Sequence, residues 1–527
     1  MFYENMNNGL ATTFSILSKT DNTSAVRILL PALDSPNPTI QEGALGSLLN
    51  RRNPSGQEEI LRRVPSLSQR WKYIINQHGG RLTGTMRDAV LGSDETMFKN
   101  ACMAAVMFSD FDLIPTLLTI LEDASQLKVS KGAETLMQLV VQLYDEVAHS
   151  DKNNSTRDPQ WIHRHAVSCL ETSVQRFGRH RRREVIEAFL LLANSNNTVL
   201  NQILQNSHHV SYLVLVDAMS RSSHDGVMRL ILDFLDNPQM PLAMLSVAAN
   251  RSDLKFIRNF LNTIGRKPSD AVRQNLKRMC NIAWLRNIKN IVHNLDDACQ
   301  HSLVILVMAS GIARSQAFSI IEYILQHGKP GGRREAARAL AVFNGADANA
   351  LALRALNDTD PQVQANVLMQ IRRRSIPGAL QRLVEKLDSP HLEVRQAARN
   401  ALAEFSFQRF LGTFELMDEE DRISTAAIVK KIDQQTIPLL REELQAPVRS
   451  RRLRGLQIAR AMDIVYSIEE LAMDILHHDE DHMLRAEAAD ALGKSPSPAV
   501  RKALEKAIHD DNVTVREAAQ RSLNELS

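Results

Sequence analysis

Apolar and polar positions in the second half of the chain follow a helical rhythm that keeps restarting. The nonapeptides VRQAARNAL (Val394–Leu402), LRAEAADAL (Leu484–Leu492) and VREAAQRSL (Val515–Leu523) carry apolar or small residues at positions one, five, eight and nine. That spacing is i, i+4, i+7, i+8, one stripe of an α-helix. Leu484 and Val515 lie 31 residues apart. A recurrence of that length predicts stacked helix pairs rather than one globular core. Ala398, Ala488 and Ala519 sit mid-stripe. A short side chain there lets a neighbouring helix come close.

A second constant element lies upstream of each stripe. Leu387-Asp388-Ser389-Pro390 precedes Val394, Leu356-Asn357-Asp358 precedes Val363, and Ile508 stands in the same register before Val515. Asp, Asn and Ser accept hydrogen bonds from the free N–H groups at a helix start, and proline interrupts a helix. The predicted unit is therefore a first helix, a short polar turn, and a second helix bearing the nonapeptide. Gly332–Leu340 (GRREAARAL) is another copy, 31 residues before Val363. Leu33-Asp34-Ser35-Pro36 leads to Ile40 and on through Leu48, and Leu235-Asp236-Asn237-Pro238 leads to Leu242. One architecture is thus expected along the whole length: degenerate repeats over 1–330 and regular repeats over 331–527, continuous with the first part. The expected fold class is all-α, an α-solenoid. Roughly 14–16 units packed at about 8–10 Å between helices would form an elongated arc.

The pattern LDSPHLEVRQAARNAL and its relative HDDNVTVREAAQRSL resemble HEAT repeats of the short type found in phycobilisome-lyase-like proteins. That resemblance covers roughly the last 200 residues, plus isolated earlier copies. It implies a ladder between a turn aspartate and an arginine at position two. Arg395, Arg485 and Arg516 hold that position here, while Gln364 and Gln41 replace it. The resemblance also brings two enzymatic relatives into view. Deoxyhypusine hydroxylases hold iron through His-Glu pairs at positions three and four of the second helix. Here those positions read Ala486-Glu487, Arg334-Glu335, Gln396-Ala397 and Glu517-Ala518, with no histidine, so that activity is not expected. Nothing beyond the repeats marks a bilin pocket.

Two segments break the rhythm. Ser150–Pro159 is polar and without apolar period, so a surface loop is expected. Gly328-Lys329-Pro330-Gly331-Gly332 reads either as a hinge or as a plain helix–helix turn. The Gly79–Gly84 stretch invites a phosphate-loop reading but lacks the Lys-Ser/Thr that phosphate and magnesium require.

Composition adds limits. Lys and Arg number 63 against 60 Asp and Glu, a formal charge of +3, which demands neither nucleic acid nor a membrane. Aromatics are only 5 %. The four cysteines, Cys102, Cys169, Cys280 and Cys299, show no metal or redox spacing and are expected as buried small apolar groups. The first residues show no basic region followed by an apolar stretch, and the longest apolar run, near Leu303–Ala309, is far too short to cross a membrane. Sequons at Asn153 and Asn154 carry no weight without export. A cytoplasmic protein is expected.

Motifs for catalysis are missing, and neither a cofactor nor a metal is expected. His477-His478-Asp479-Glu480-Asp481-His482 coincides with a repeat turn, and His163/His165 and His208/His209 read as ordinary surface histidines. The best functional signal is basic. Arg176, Arg179, Arg181, Arg182 and Arg183 precede an apolar helix near Val185, an unfavourable place for positive charge. Arg372, Arg373 and Arg374 end a second helix, and Arg451, Arg452 and Arg454 follow Arg449. These arginines are the expected partner-binding residues, with Glu415–Asp421 as a balancing acidic segment. Two functions follow. The first is a non-enzymatic scaffold or adaptor that binds a protein partner, acidic in character, along the solenoid. The second is binding of a nucleic-acid backbone through the arginine clusters.

Overall fold

A computed structural model describes residues 8–123, 126–149 and 158–526. The expected loop at Ser150–Pro159 and the Asn153 and Asn154 sequons fall largely or wholly outside them. The described residues contain 34 α-helices and nine short 3-10 turns, with no strand. By internal contacts the chain divides into two units. One comprises Met1–Leu295 with Ile305–Arg314, the other Asp296–Val304 with Ser315–Ser527. Each is a series of helices packed on their neighbours along the chain, so the all-α solenoid class is what the structure has.

The second unit shows why the repeat folds as it does. Helices Leu392–Ala401, His482–Leu492 and Val513–Glu525 carry the three nonapeptides. Val394, Ala398, Leu402, Leu484, Ala488, Leu492, Val515 and Ala519 are wholly buried. Second helices pack on the second helices of their neighbours, Pro361–Ile371 on Leu392–Ala401 and His482–Leu492 on Val513–Glu525. In the first unit, Pro38–Arg51 follows its turn with Asn37 as the cap, whereas the expected copy at Leu242 departs from the pattern: Leu242 is 72 % exposed and helix Leu242–Asn250 starts after Pro241 with no side-chain cap. The Leu303–Ala309 run lies within helix Asp297–Ala309, and no described helix is long and apolar enough to cross a membrane.

Gly328–Gly332 is a turn fastened at both ends. The Lys329 N–H donates to Gln300 Oε1 at 2.6 Å and the Gly331 N–H to Asp297 Oδ1 at 2.5 Å. Pro330 then opens helix Pro330–Ala339, where its missing N–H costs nothing. Between the two readings of this segment, the tied geometry is that of a helix–helix turn. The cysteine expectation needs correction. Cys102 and Cys299 are buried, but Cys169 is half-buried and Cys280 exposed. Cys280 follows the end of helix Asp270–Lys277, in irregular backbone outside the apolar stripe.

Candidate functional site

The polar turns are built alike. An Asp or Ser accepts the N–H two residues on: Asp358 from Asp360 at 2.8 Å, Asp479 from Asp481 at 3.0 Å, Asp510 from Asn512 at 2.8 Å. The acceptor's partner then caps the next helix, as Asp481 does for Met483 at 2.8 Å and Asn512 for Thr514 at 2.9 Å. The position-two side chain closes the turn by donating to the carbonyl six residues back. Arg395 reaches Ser389, Arg516 reaches Asp510, Gln364 reaches Asp358 and Gln41 reaches Ser35, each at 2.7 Å. Glutamine can do this much. Only arginine also spans to the next unit's turn, Arg333 to Asp358 at 3.0 Å and Arg485 to Asp510 at 2.9 Å through both oxygens. Where Gln364 stands, Lys386 of the following unit enters instead, donating to Leu356 O at 2.9 Å and Gln364 Oε1 at 3.2 Å.

Asp510 is held below its ordinary value of 3.8. The Arg485 hydrogen bonds are the main cause, opposed by burial and helped by the Asn512 N–H. A depressed carboxylate contributes stability that is complete above its unfolded pKa and is lost as pH falls through the folded one. Thermal unfolding of the full chain should therefore weaken below about pH 4, and Asp510→Asn should reduce that acid sensitivity. Parallel acid limbs for wild type and variant would show that the pair does not contribute.

The expected partner-binding arginines fall into two groups. Most are engaged within the fold. Arg176 pairs with Glu122 at 3.3 Å, Arg182 donates to Leu121 O at 3.2 Å, and Arg183 pairs with Glu187 at 2.9 Å and Asp217 at 2.8 Å. Arg183 opens helix Arg183–Leu192, and these two carboxylates offset its unfavourable place there. Arg372 pairs with Glu404 and lies 5.3 Å over the Phe405 ring. Arg374 donates to Leu340 O and, at 2.8 Å, to Phe343 O; burial holds its pKa down. Arg451 and Arg454 converge on buried Glu443. Burial pushes that carboxyl up, but its two arginines prevail and leave it below the ordinary range. Arg452 pairs with Asp479 at 3.0 Å and donates to Ala446 O at 2.9 Å, six residues back. It is thus a ladder arginine. That role was hidden because Arg451 fills position one, where the three clearest copies have Val or Leu, and Gly455 fills position five. A Cβ at Gly455 would come within 2.9 Å of Leu444 Cδ2.

Arg179, Arg181 and Arg373 are exposed and make no ion pair among the described residues. Arg179 belongs to the short helix Phe177–His180, and Arg181 ends it in the left-handed region at φ 51°. Gly178 lies against Val210, whose Cγ1 is 3.9 Å from where a Cβ would be. Val210 is 61 % exposed and Leu213, one turn on, 75 %. The short helix that carries Arg179, with Arg181 at its end, thus meets an exposed valine through Gly178.

Other candidate groups have structural partners. Asp479 and Asp481 bind Arg452 and Arg449, and His478 pairs with Asp474 at 2.9 Å, so the 477–482 cluster points in several directions. His163 bonds Leu192 O at 3.0 Å, burial lowering its pKa, and His165 stacks on Trp161. Asp418 caps the helix Glu419–Ile432 that the acidic segment opens, where negative charge suits the dipole. A cavity of about 570 Å³ opens beside Gly79, Gly80 and Arg81. Asp110 and Glu146 also line it, and Thr83 donates to Asp110, so a phosphate there would meet carboxylates.

One charged region escaped the sequence reading. Residues 251–295 hold ten Lys and Arg against Asp253 and Asp270 alone, and 271–295 hold no acid. The even total masked it, because this +8 is balanced by a net acidic remainder. A running charge window would have found it.

The HEAT-repeat family model matches residues 319–403 and 434–524. No curated protein matches the sequence. Among solved structures, the chain is similar to one from work on a phosphorylation switch between cadherin and beta-catenin, with 14 % identity, a TM-score of 0.26, and 95 % of this chain and 98 % of that one covered. A structure from work on Kap95p binding to RanGDP gives 11 % identity and a TM-score of 0.26 over 98 % of this chain and 74 % of that one. Human deoxyhypusine hydroxylase in complex with glycerol gives 18 % identity and a TM-score of 0.17 over 57 % of this chain and 95 % of that one.

Proposed function

From the premise that residues 319–403 and 434–524 are HEAT repeats, we propose that this chain is a non-enzymatic scaffold that binds a protein partner of acidic character. The observation that carries the reading is that the short helix bearing exposed Arg179, with exposed Arg181 at its end, lies at Gly178 against exposed Val210, three residues before exposed Leu213. Protein interfaces combine an apolar centre with a polar rim, and charge complementarity sets partner and on-rate. A partner segment offering an apolar residue between carboxylates suits this patch. Binding of nucleic acid through the arginine clusters is less well supported, because most of those arginines already hold carboxylates or carbonyls of the fold. Buried Cys102 and Cys299, packed singly, accord with a reducing compartment such as the cytoplasm.

Affinity capture from the native lysate, followed by mass spectrometry, tests the reading. Wild type should enrich the same protein partner reproducibly. Leu213→Asp with Arg181→Glu should reduce that enrichment at least about tenfold, since loss of one anchoring contact costs about 2 kcal/mol or more. Unchanged enrichment would assign binding to another surface.

A further inference from the structure

We infer that residues 266–289 of the first unit form a second binding surface, one that takes the phosphodiester backbone of double-stranded nucleic acid. Arg266, Lys267, Lys277, Arg286 and Lys289 are all exposed, and none makes an ion pair among the described residues. The neighbouring cations show the contrast: Lys255 pairs with Asp225 at 2.5 Å, Arg251 with Asp253 at 2.9 Å and Arg273 with Asp270 at 3.4 Å. The five free charges sit on the loop before helix Asp270–Lys277, at that helix's end, in the 3-10 turn Ala283–Asn287 and at the start of helix Ile288–Asn294. Two consecutive short helices and the turns before and between them carry all five.

The chemistry around them selects the partner. From 255 to 295 every large apolar side chain is buried or half-buried, Trp284 at 3 % and Phe256 and Phe260 at 0 % included. A protein partner needs an apolar anchor, which this surface lacks and the Val210–Leu213 patch has. A single strand needs exposed aromatic rings for its bases, and there are none in this segment. A duplex backbone needs neither. It needs cations and neutral hydrogen-bond donors, and Gln274, Asn281, Asn287 and Asn290 supply exposed amides among the cations. Backbone charge is the same for every sequence, so the inferred binding is independent of sequence.

The inference is independent of the protein-partner reading, because it uses other residues. Gel shift of a short random-sequence DNA duplex with the full chain tests it. Five phosphate contacts predict a slope of log K against log salt of about −4.5, a loss of about 10²–10³-fold between about 50 and about 200 mM salt. Lys267→Ala, Lys277→Ala and Lys289→Ala combined should bring the slope to about −2 and leave the helical circular dichroism and melting temperature unchanged, since all three are exposed. Binding by the folded triple variant equal to wild type would overturn the inference, as would no shift at the lower salt. Tighter binding of a single strand or of poly-glutamate than of the duplex would overturn it too.

Discussion

Replacing Arg485 by Met should destabilise the C-terminal repeats by about 2–3 kcal/mol. Arg485 makes two bonds to Asp510 at 2.9 Å and a third to Asp479 O at 2.9 Å. Its side chain is 16 % exposed and that of Asp510 15 %. Breaking a buried charge pair costs about 3–5 kcal/mol because the remaining charge is left unpaired, and partial exposure reduces this. Met keeps the apolar stem, so the loss is electrostatic. In urea unfolding, Arg485→Met and Asp510→Asn should be strongly non-additive, because either removes the same clamp. Additive effects would mean that the two side chains act separately. Arg516→Met is the contrast: its guanidinium bonds only carbonyls of its own turn, Asp510 O at 2.7 Å and Asp511 O at 3.0 Å, so it should cost less.

The second large effect is expected at the seam. Ala488 is wholly buried on helix His482–Leu492, on which helices Arg449–Ala461, Glu469–His478 and Val513–Glu525 all pack. Ala488→Leu adds three carbons where the backbones approach, and should destabilise by about 1–3 kcal/mol. Asp490, on the same helix but 29 % exposed, tolerates the equivalent change to Leu within about 0.5 kcal/mol apart from its contact with Arg521. Equal tolerance at both positions would contradict close packing at the alanine.

These two expectations trace what was legible in the chain. Position five is small for a steric reason, and steric demands repeat in sequence wherever the packing repeats. The turns were legible likewise, because an Asp, Asn or Ser is needed to satisfy backbone N–H groups at each helix start. Arg452 was not legible as a ladder residue, since Arg451 and Gly455 break the stripe that marks its neighbours, and Arg452 read as one of a basic cluster. Whether an arginine is free depends on carboxylates far along the chain, such as Glu122 for Arg176 and Glu404 for Arg372. No local pattern carries that information. The exposure of Val210 beside Gly178 is likewise a property of packing between non-adjacent segments.

Amide hydrogen exchange over the full chain, read by mass spectrometry, tests the stacked-pair account most directly. Exchange should be slowest along helices Pro361–Ile371, Leu392–Ala401, His482–Leu492 and Val513–Glu525, and faster in the turns that precede them, so that protection rises again with each repeat. Protection that ignores the repeat, with the alanine-bearing helices exchanging as fast as their turns, would contradict it.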